Sequence, residues 1–329
     1  MRVVFRTEGN EKQGMGDVWG SIALADEFSK SSDEIIFVLS EGEKAIELLE
    51  GRGYQTCIAE SVEEELVLLR RFQPHVVIVI KLNNEPQYIK ALKALTQHLV
   101  TIDDAGDGSR YADTRINVLY HTYGAETDPK YITLRSEFRG LHERGKRVRR
   151  EVQELLIMQG GSDTYGFTPS IVHGLEGLSI RPRCNLILGP EFRHEKELAA
   201  SLATSSLDFT VLNNPHNLGE LMWRADLAVT AGGLAMFELA SVGTPSIVVC
   251  GERFEEETAS GLEQSGVVVN LGFGAAINYD DVSRKINDLA LDWSKRKRMS
   301  VRGRKLVDGK GCERIVGMVR QRLCVDQAS

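Results

Sequence analysis

Short, β-branched apolar runs alternate with longer amphipathic stretches along almost all of the 329 residues, and that rhythm leaves few folds open. Strand-like runs fall at 3–6, 34–39, 75–81, 99–102 and 115–119, with helical periodicity near 17–30, 42–52, 61–72 and 86–97 between them. Strands separated by helices read as βαβ units, in which the crossovers make the strands parallel and lay helices on both faces of the sheet. The run His-Val-Val-Ile-Val-Ile from position 75 is apolar with hardly a break, the pattern of a central strand buried on both sides.

The rhythm stops between 121 and 150, where the chain turns polar and charged, and then restarts. Further strand patterns lie at 155–159, 184–188, 208–212, 226–230, 246–250 and 267–269. The expectation is α/β: two doubly wound, Rossmann-like domains, 1–140 and 141–329, facing each other across a cleft. The last helical stretch, 310–322, could pack on either. A chain of this length can bury a core in each half. Its formal net charge of −7 argues against a nucleic-acid partner, whose binding surface should be basic. No run approaches the roughly 18 apolar residues of a membrane span, and the N-terminal residues lack the apolar stretch of a signal peptide. The five cysteines are scattered and form no CxxC, which fits reduced thiols and a cytoplasmic location.

Glycine loops follow several of the strands. After the first comes TEGNEKQGMG, with Gly14 and Gly16 ahead of a helix. The spacing to Gly20 and the distance from the strand do not match a dinucleotide fingerprint. Asp17 stands at the start of that helix, either as its N-cap or as a general base facing the cleft. In the second half a buried strand runs into Gly232-Gly233, and a helix opens at Leu234. Its first amides, Leu234 and Ala235 included, would favour a diphosphate at the positive end of the helix dipole. Glu238, one turn in, would reach ribose hydroxyls; the alternative is a plain strand–helix turn with Glu238 solvated. Gly160-Gly161-Ser162-Asp163 repeats the pattern after the first strand of this half, and no GKS or GKT follows either loop.

These residues resemble a known family. AGGLAMFELASVGTPSIVV is similar to the nucleotide-sugar signature of the GT-B glycosyltransferases related to MurG. The whole chain resembles, more closely, the spore-coat-polysaccharide and pseudaminic-acid group, which includes a UDP-sugar hydrolase. The matching stretches are the glycine loop at 14–16, TIDDAG at 101–106, ITLRSEF at 132–138, MQGGSD at 158–163, ADLAVTAGGLAMFELA and VDGKGCERIV at 307–316. The resemblance implies a GT-B fold, a UDP-sugar as ligand, and a nucleotide held mainly by the C-terminal half. Gly160, Gly161, Ser162, Gly232, Gly233, Leu234 and Ala235 would then meet the diphosphate and Glu238 the ribose. Gly14, Gly16, Asp104 and Glu256 would line the sugar.

Two positions depart from that pattern. The hydrolase has a His where Asp17 stands, and an Asn-Gln pair where this chain has Phe254 and Glu255. Asp17 would serve as a base ionised at neutral pH, its pKa lowered further by the helix N-terminus. The implied reaction is cleavage of the glycosyl–UDP bond with water as acceptor. An inverting glycosyltransferase and a non-catalytic nucleotide-sugar-binding protein are the alternatives. No cofactor is expected and no metal: Asp103, Asp104 and Asp107 read as turn chemistry, and the histidines show no ligand spacing. The basic runs at 144–150 and 295–298 read as solvated faces.

Overall fold

The computed structural model describes residues 1–9, 14–119 and 124–326. The chain forms two compact units, Met1–Arg135 with Gly309–Ser329, and Ser136–Asp308. The second unit therefore ends at Asp308 and does not run to the last residue.

The first unit is a six-stranded sheet of β1 (Arg2–Thr7), β2 (Glu34–Leu39), β3 (Gln55–Ile58), β4 (Val76–Ile80), β5 (His98–Ile102) and β6 (Thr114–Ile116), in the order β3-β2-β1-β4-β5-β6. Every pairing is parallel. All five residues of β4 are buried, as a central strand requires. β3 carries no unbroken apolar run, because an edge strand is half exposed and needs none.

The second unit repeats the plan with β7 (Glu154–Met158), β8 (Arg183–Leu188), β9 (Phe209–Asn213), β10 (Leu227–Thr230), β11 (Ser246–Cys250) and β12 (Val268–Phe273), in the order β12-β11-β10-β7-β8-β9. These pairings too are parallel. Leu155, Ile157, Val229, Ile247 and Val249 form one face of the sheet and pack with Ile171, Leu175 and Ile286 from the helices. In each sheet the strand order reverses beside the first strand of the unit, between β1 and β4 and between β7 and β10. At such a switch point neighbouring loops leave the sheet in opposite directions and open a crevice at the carboxyl ends of the strands.

Helix Ser136–Arg144 lies inside the polar stretch and buries only Phe138 and Leu141, too few apolar residues to show a period. The final helix, Gly311–Asp326, belongs to the first unit. It is seated against the segment 130–134, with Arg314 Nη1 donating to the Lys130 carbonyl at 2.9 Å. A Cβ on Gly311 would lie 2.0 Å from the carbonyl oxygen of Ile132. Backbone cannot yield as a side chain does, so Gly311→Ala is expected to cost about 2–3 kcal/mol and to loosen this helix. Urea unfolding with hydrogen exchange on 311–322 reads both effects.

Candidate functional site

The carboxyl end of the first sheet gathers acid groups. β1 carries Arg6 directly after the apolar run Val3-Val4-Phe5 and continues into Glu8, and both side chains are buried. Arg6 donates to Glu8 at 2.5 Å and to Glu65 at 3.0 Å, and its guanidinium is held well above its ordinary pKa by Tyr88, Glu65 and Glu8 against the opposing effect of burial. Ser40 donates to the other Glu8 oxygen at 2.7 Å, Lys81 approaches at 3.7 Å, and Tyr88 donates to Glu65 at 2.7 Å. The signal for this network in the sequence is Arg6 itself, since a cation in a buried strand requires partners.

Asp17 stands beside that network. Helix Gly16–Ser29 opens after its N-cap Met15, which makes no side-chain capping bond among the described residues, so Asp17 is one residue inside the helix and is not its N-cap. Its pKa is raised to about 7, first by burial and then by the charges of Asp103 and Glu8. This reverses the expected lowering by the helix end, because desolvation and two like charges outweigh a partial dipole charge. Asp103, after β5, has a left-handed backbone (φ 53) and accepts the Leu119 N–H at 2.8 Å. Burial pushes its carboxyl up to about 6, against the lowering by the Leu119 and Val118 N–H groups.

Asp104, the candidate sugar contact, is engaged within the chain. It is fully buried, and its carboxylate accepts from Asn84 N at 3.1 Å, Asn84 Nδ2 at 2.9 Å and Gly106 N at 2.8 Å. It ties two loops together, while the charge of its neighbour Asp103 bears on Asp17. Gly14 has a left-handed backbone (φ 75), and Gly16 is the first residue of the helix. Among the described residues no group of three carboxylate, imidazole or thiol side chains is placed to hold a metal ion.

At the carboxyl end of the second sheet, Gly160 turns with φ 73 and Gly161 is locked against Gly189, where a Cβ would lie 2.2 Å from the Gly161 carbonyl oxygen. Asp163 accepts the N–H groups of Phe167 and Thr168, each at 2.8 Å, so these amides of the following helix are already taken. The Ser162 hydroxyl lies 3.0 Å from that of Thr164. Tyr165 is exposed, stacks on Phe167 with centroids 5.6 Å apart, and reaches Glu252 with its hydroxyl. Nothing in the sequence pattern had singled it out.

The second glycine turn differs from the expectation. Helix Leu234–Val242 follows Gly233, with no side-chain cap and no acid in its first turn. The space above the glycines, however, is filled by Glu255. A Cβ on Gly232 would lie 2.7 Å from the Glu255 Cβ, and one on Gly233 would lie 3.4 Å from its Oε1. Glu255 Oε2 accepts the N–H groups of Gly251 at 2.7 Å, Gly232 at 3.2 Å and Glu252 at 3.2 Å. The amide of Gly232 therefore has a carboxylate partner within the chain. Glu238 is buried to within 9% and not solvated. Glu256 accepts the Phe273 N–H at 2.8 Å, which fixes β12 and engages one oxygen expected to meet a sugar.

Known proteins are similar to this chain along most of its length. No protein-family model matches the chain. The uncharacterised protein MJ1062 of Methanocaldococcus jannaschii is 29% identical over 276 residues, which are 78% of this chain and 57% of that protein, so the match spans little over half of its length. The spore coat polysaccharide biosynthesis protein SpsG of Bacillus subtilis is 20% identical over 337 residues, 97% of this chain and 98% of that one. Among solved structures, MurG of Acinetobacter baumannii has a TM-score of 0.69 at 13% identity, covering 97% of this chain and 99% of its own. The spinosyn rhamnosyltransferase SpnG has 0.65 at 13%, covering 98% and 100%. The UDP-GlcNAc 2-epimerase of Neisseria meningitidis, solved with UDP-GlcNAc bound, has 0.63 at 11%, covering 98% and 100%. At these identities the likeness defines the fold, and the fold is GT-B: two α/β units, each built on a six-stranded parallel sheet.

Proposed function

We propose that this chain is an enzyme that cleaves the glycosyl–diphosphate bond of a UDP-sugar with water as acceptor, in the synthesis of a surface polysaccharide or a nonulosonic-acid-type sugar. The observation that carries this reading is Asp17, a carboxyl raised to about 7 at the carboxyl end of a sheet. A base whose pKa lies near the working pH both accepts a proton readily and is present in its ionised form. It takes the place of the histidine in the UDP-sugar hydrolases that the sequence resembles. Full-length similarity to SpsG and a fold shared with a UDP-GlcNAc-bound epimerase support the choice of ligand.

In this mechanism the oxygen of water attacks the anomeric carbon as its proton passes to Asp17. The bond from that carbon to the β-phosphate oxygen breaks, and UDP leaves with the electron pair. The uncapped N-terminus of helix Leu234–Val242 stabilises the negative charge as it develops. Glu238 on the same helix is the candidate for the ribose, and Gly160, Gly161 and Ser162 for the phosphates. A glycosyltransferase would use the same base on an acceptor hydroxyl, and the fold shared with the rhamnosyltransferase SpnG supports that second reading equally.

UDP at 100 times its Kd should stabilise the protein by about 2.7 kcal/mol, a clear rise in melting temperature. CDP, ADP and GDP should do less, and Glu238→Ala should abolish the UDP effect. Thermal-shift measurements check this, and UDP release from UDP-sugars with and without alcohol acceptors then separates the two chemistries. No stabilisation by any nucleotide would remove the proposal.

A further inference from the structure

The occupant of the Gly232–Gly233 turn is the least expected feature of the second unit. Three backbone N–H groups, from Gly232, Gly251 and Glu252, converge on one oxygen, Glu255 Oε2, at 3.2, 2.7 and 3.2 Å. Convergent N–H groups of this kind form an anion-binding nest, and carboxylate and phosphoryl oxygens satisfy it with the same geometry. The other oxygen, Oε1, lies over Gly233, just ahead of the helix that opens at Leu234 with no side-chain cap. The carboxylate thus stands where the sequence pattern leads one to expect a diphosphate.

The neighbouring acids do other things. Glu252 receives the Tyr165 hydroxyl at 3.2 Å, and Glu256 receives the Phe273 N–H at 2.8 Å. The loop 250–256 is therefore anchored on both sides of Glu255. Glu255 is itself the first residue of helix Glu255–Gln264, so a change of its side-chain rotamer can clear the nest without moving the helix.

We propose that Glu255 is a displaceable internal anion: it keeps the glycine turn formed in the empty protein, and an incoming nucleotide diphosphate competes with it for the N–H groups of Gly232, Gly251 and Glu252. This rests on the nucleotide site assigned above and adds its gating. Binding is then weakened by the work of turning a carboxylate out of the nest and by its repulsion of the phosphates. Only ligands that present phosphoryl oxygens meet this opposition.

Calorimetric binding of UDP, UMP and uridine to the full-length wild type, Glu255→Gln and Glu255→Ala tests the idea. Gln keeps the side-chain shape and one carbonyl oxygen for the N–H groups, so it holds the loop while removing the charge. UDP is expected to bind Glu255→Gln about 10-fold more tightly than wild type, a difference of about 1.4 kcal/mol. UMP should gain less and uridine nothing. Glu255→Ala should gain on UDP too, while melting lower than wild type without ligand, because three N–H groups lose their acceptor.

Unchanged or weaker UDP binding by Glu255→Gln, with uridine unaffected, would overturn the proposal and leave the nucleotide site standing. A parallel loss of UDP and uridine would overturn it as well, since the carboxylate would then be a brace of the site and not a competitor. Absence of UDP and uridine binding by the wild type and both variants would instead remove the nucleotide site, and the gate with it.

Discussion

Asp17→Asn is expected to lower the rate of UDP release by about 10²–10⁴-fold and, at the same time, to make the folded protein more stable above neutral pH. Both effects have one cause. The Asp17 carboxyl is raised to about 7 by burial and by the charges of Asp103 and Glu8, so the fold resists the ionised form that a base must adopt. Below about pH 4 the carboxyl is protonated in folded and unfolded chains alike, and the variant gains nothing. Between about 4 and 7 the unfolded chain ionises while the folded one holds its proton, and stability is lost as the pH rises. Above about 7 the loss is constant, on the order of 2–4 kcal/mol, and the Asn variant escapes it.

The wild-type kcat/KM should accordingly rise with pH through about 7, and that limb should be absent from whatever activity Asp17→Asn retains. Asp103→Asn, which removes one of the two like charges, should move the limb to lower pH with Asp17 still in place. An Asn variant with full activity and an unchanged pH profile would take Asp17 out of the chemistry.

The second large effect is expected at Arg6. Its guanidinium joins the buried carboxylates of Glu8 and Glu65, and all three side chains are within 6% of complete burial. Arg6→Met fills much of the same volume but leaves two buried acids with less compensation, and a loss of about 3–5 kcal/mol is expected. Adding Glu65→Gln should recover part of this, because the penalty lies in the uncompensated charge and not in lost packing. Chemical unfolding of the single and double variants measures the coupling. Equal stability of Arg6→Met and wild type would show that Lys81 and Ser40 suffice to hold Glu8.

Some of this protein was legible in its sequence for a definite reason. A strand buried on both faces has to be apolar along its length, so β4, β7 and β11 announce themselves, and the helices between them dictate parallel sheets. Glycine turns after β7 and β10 were equally plain, because a tight strand–helix turn needs residues without a side chain. Local chemistry of this kind is written in neighbouring residues. Where the local signal was weak, elements went unseen: β3 is a half-exposed edge strand, and helix Ser136–Arg144 buries only Phe138 and Leu141.

What only the tertiary structure decided concerns groups distant along the chain. Asp17 was open as an N-cap or as a base with a lowered pKa; burial first, and then the charges of Asp103 from beyond β5 and Glu8 from beyond β1, raise its carboxyl to about 7. Asp104 and Asp103 are adjacent in sequence, yet one is locked between two loops and the other bears on Asp17, because successive residues beyond a strand end point different ways. The glycines at 232 and 233 were read as room for a ligand, and the fold lays Glu255 over them. The sequence by itself determined the two parallel sheets and where their loops turn, since hydrophobic period and glycine geometry are local. The charge state and occupancy of those loops depend on burial and on long-range electrostatics, which exist only once the chain has folded.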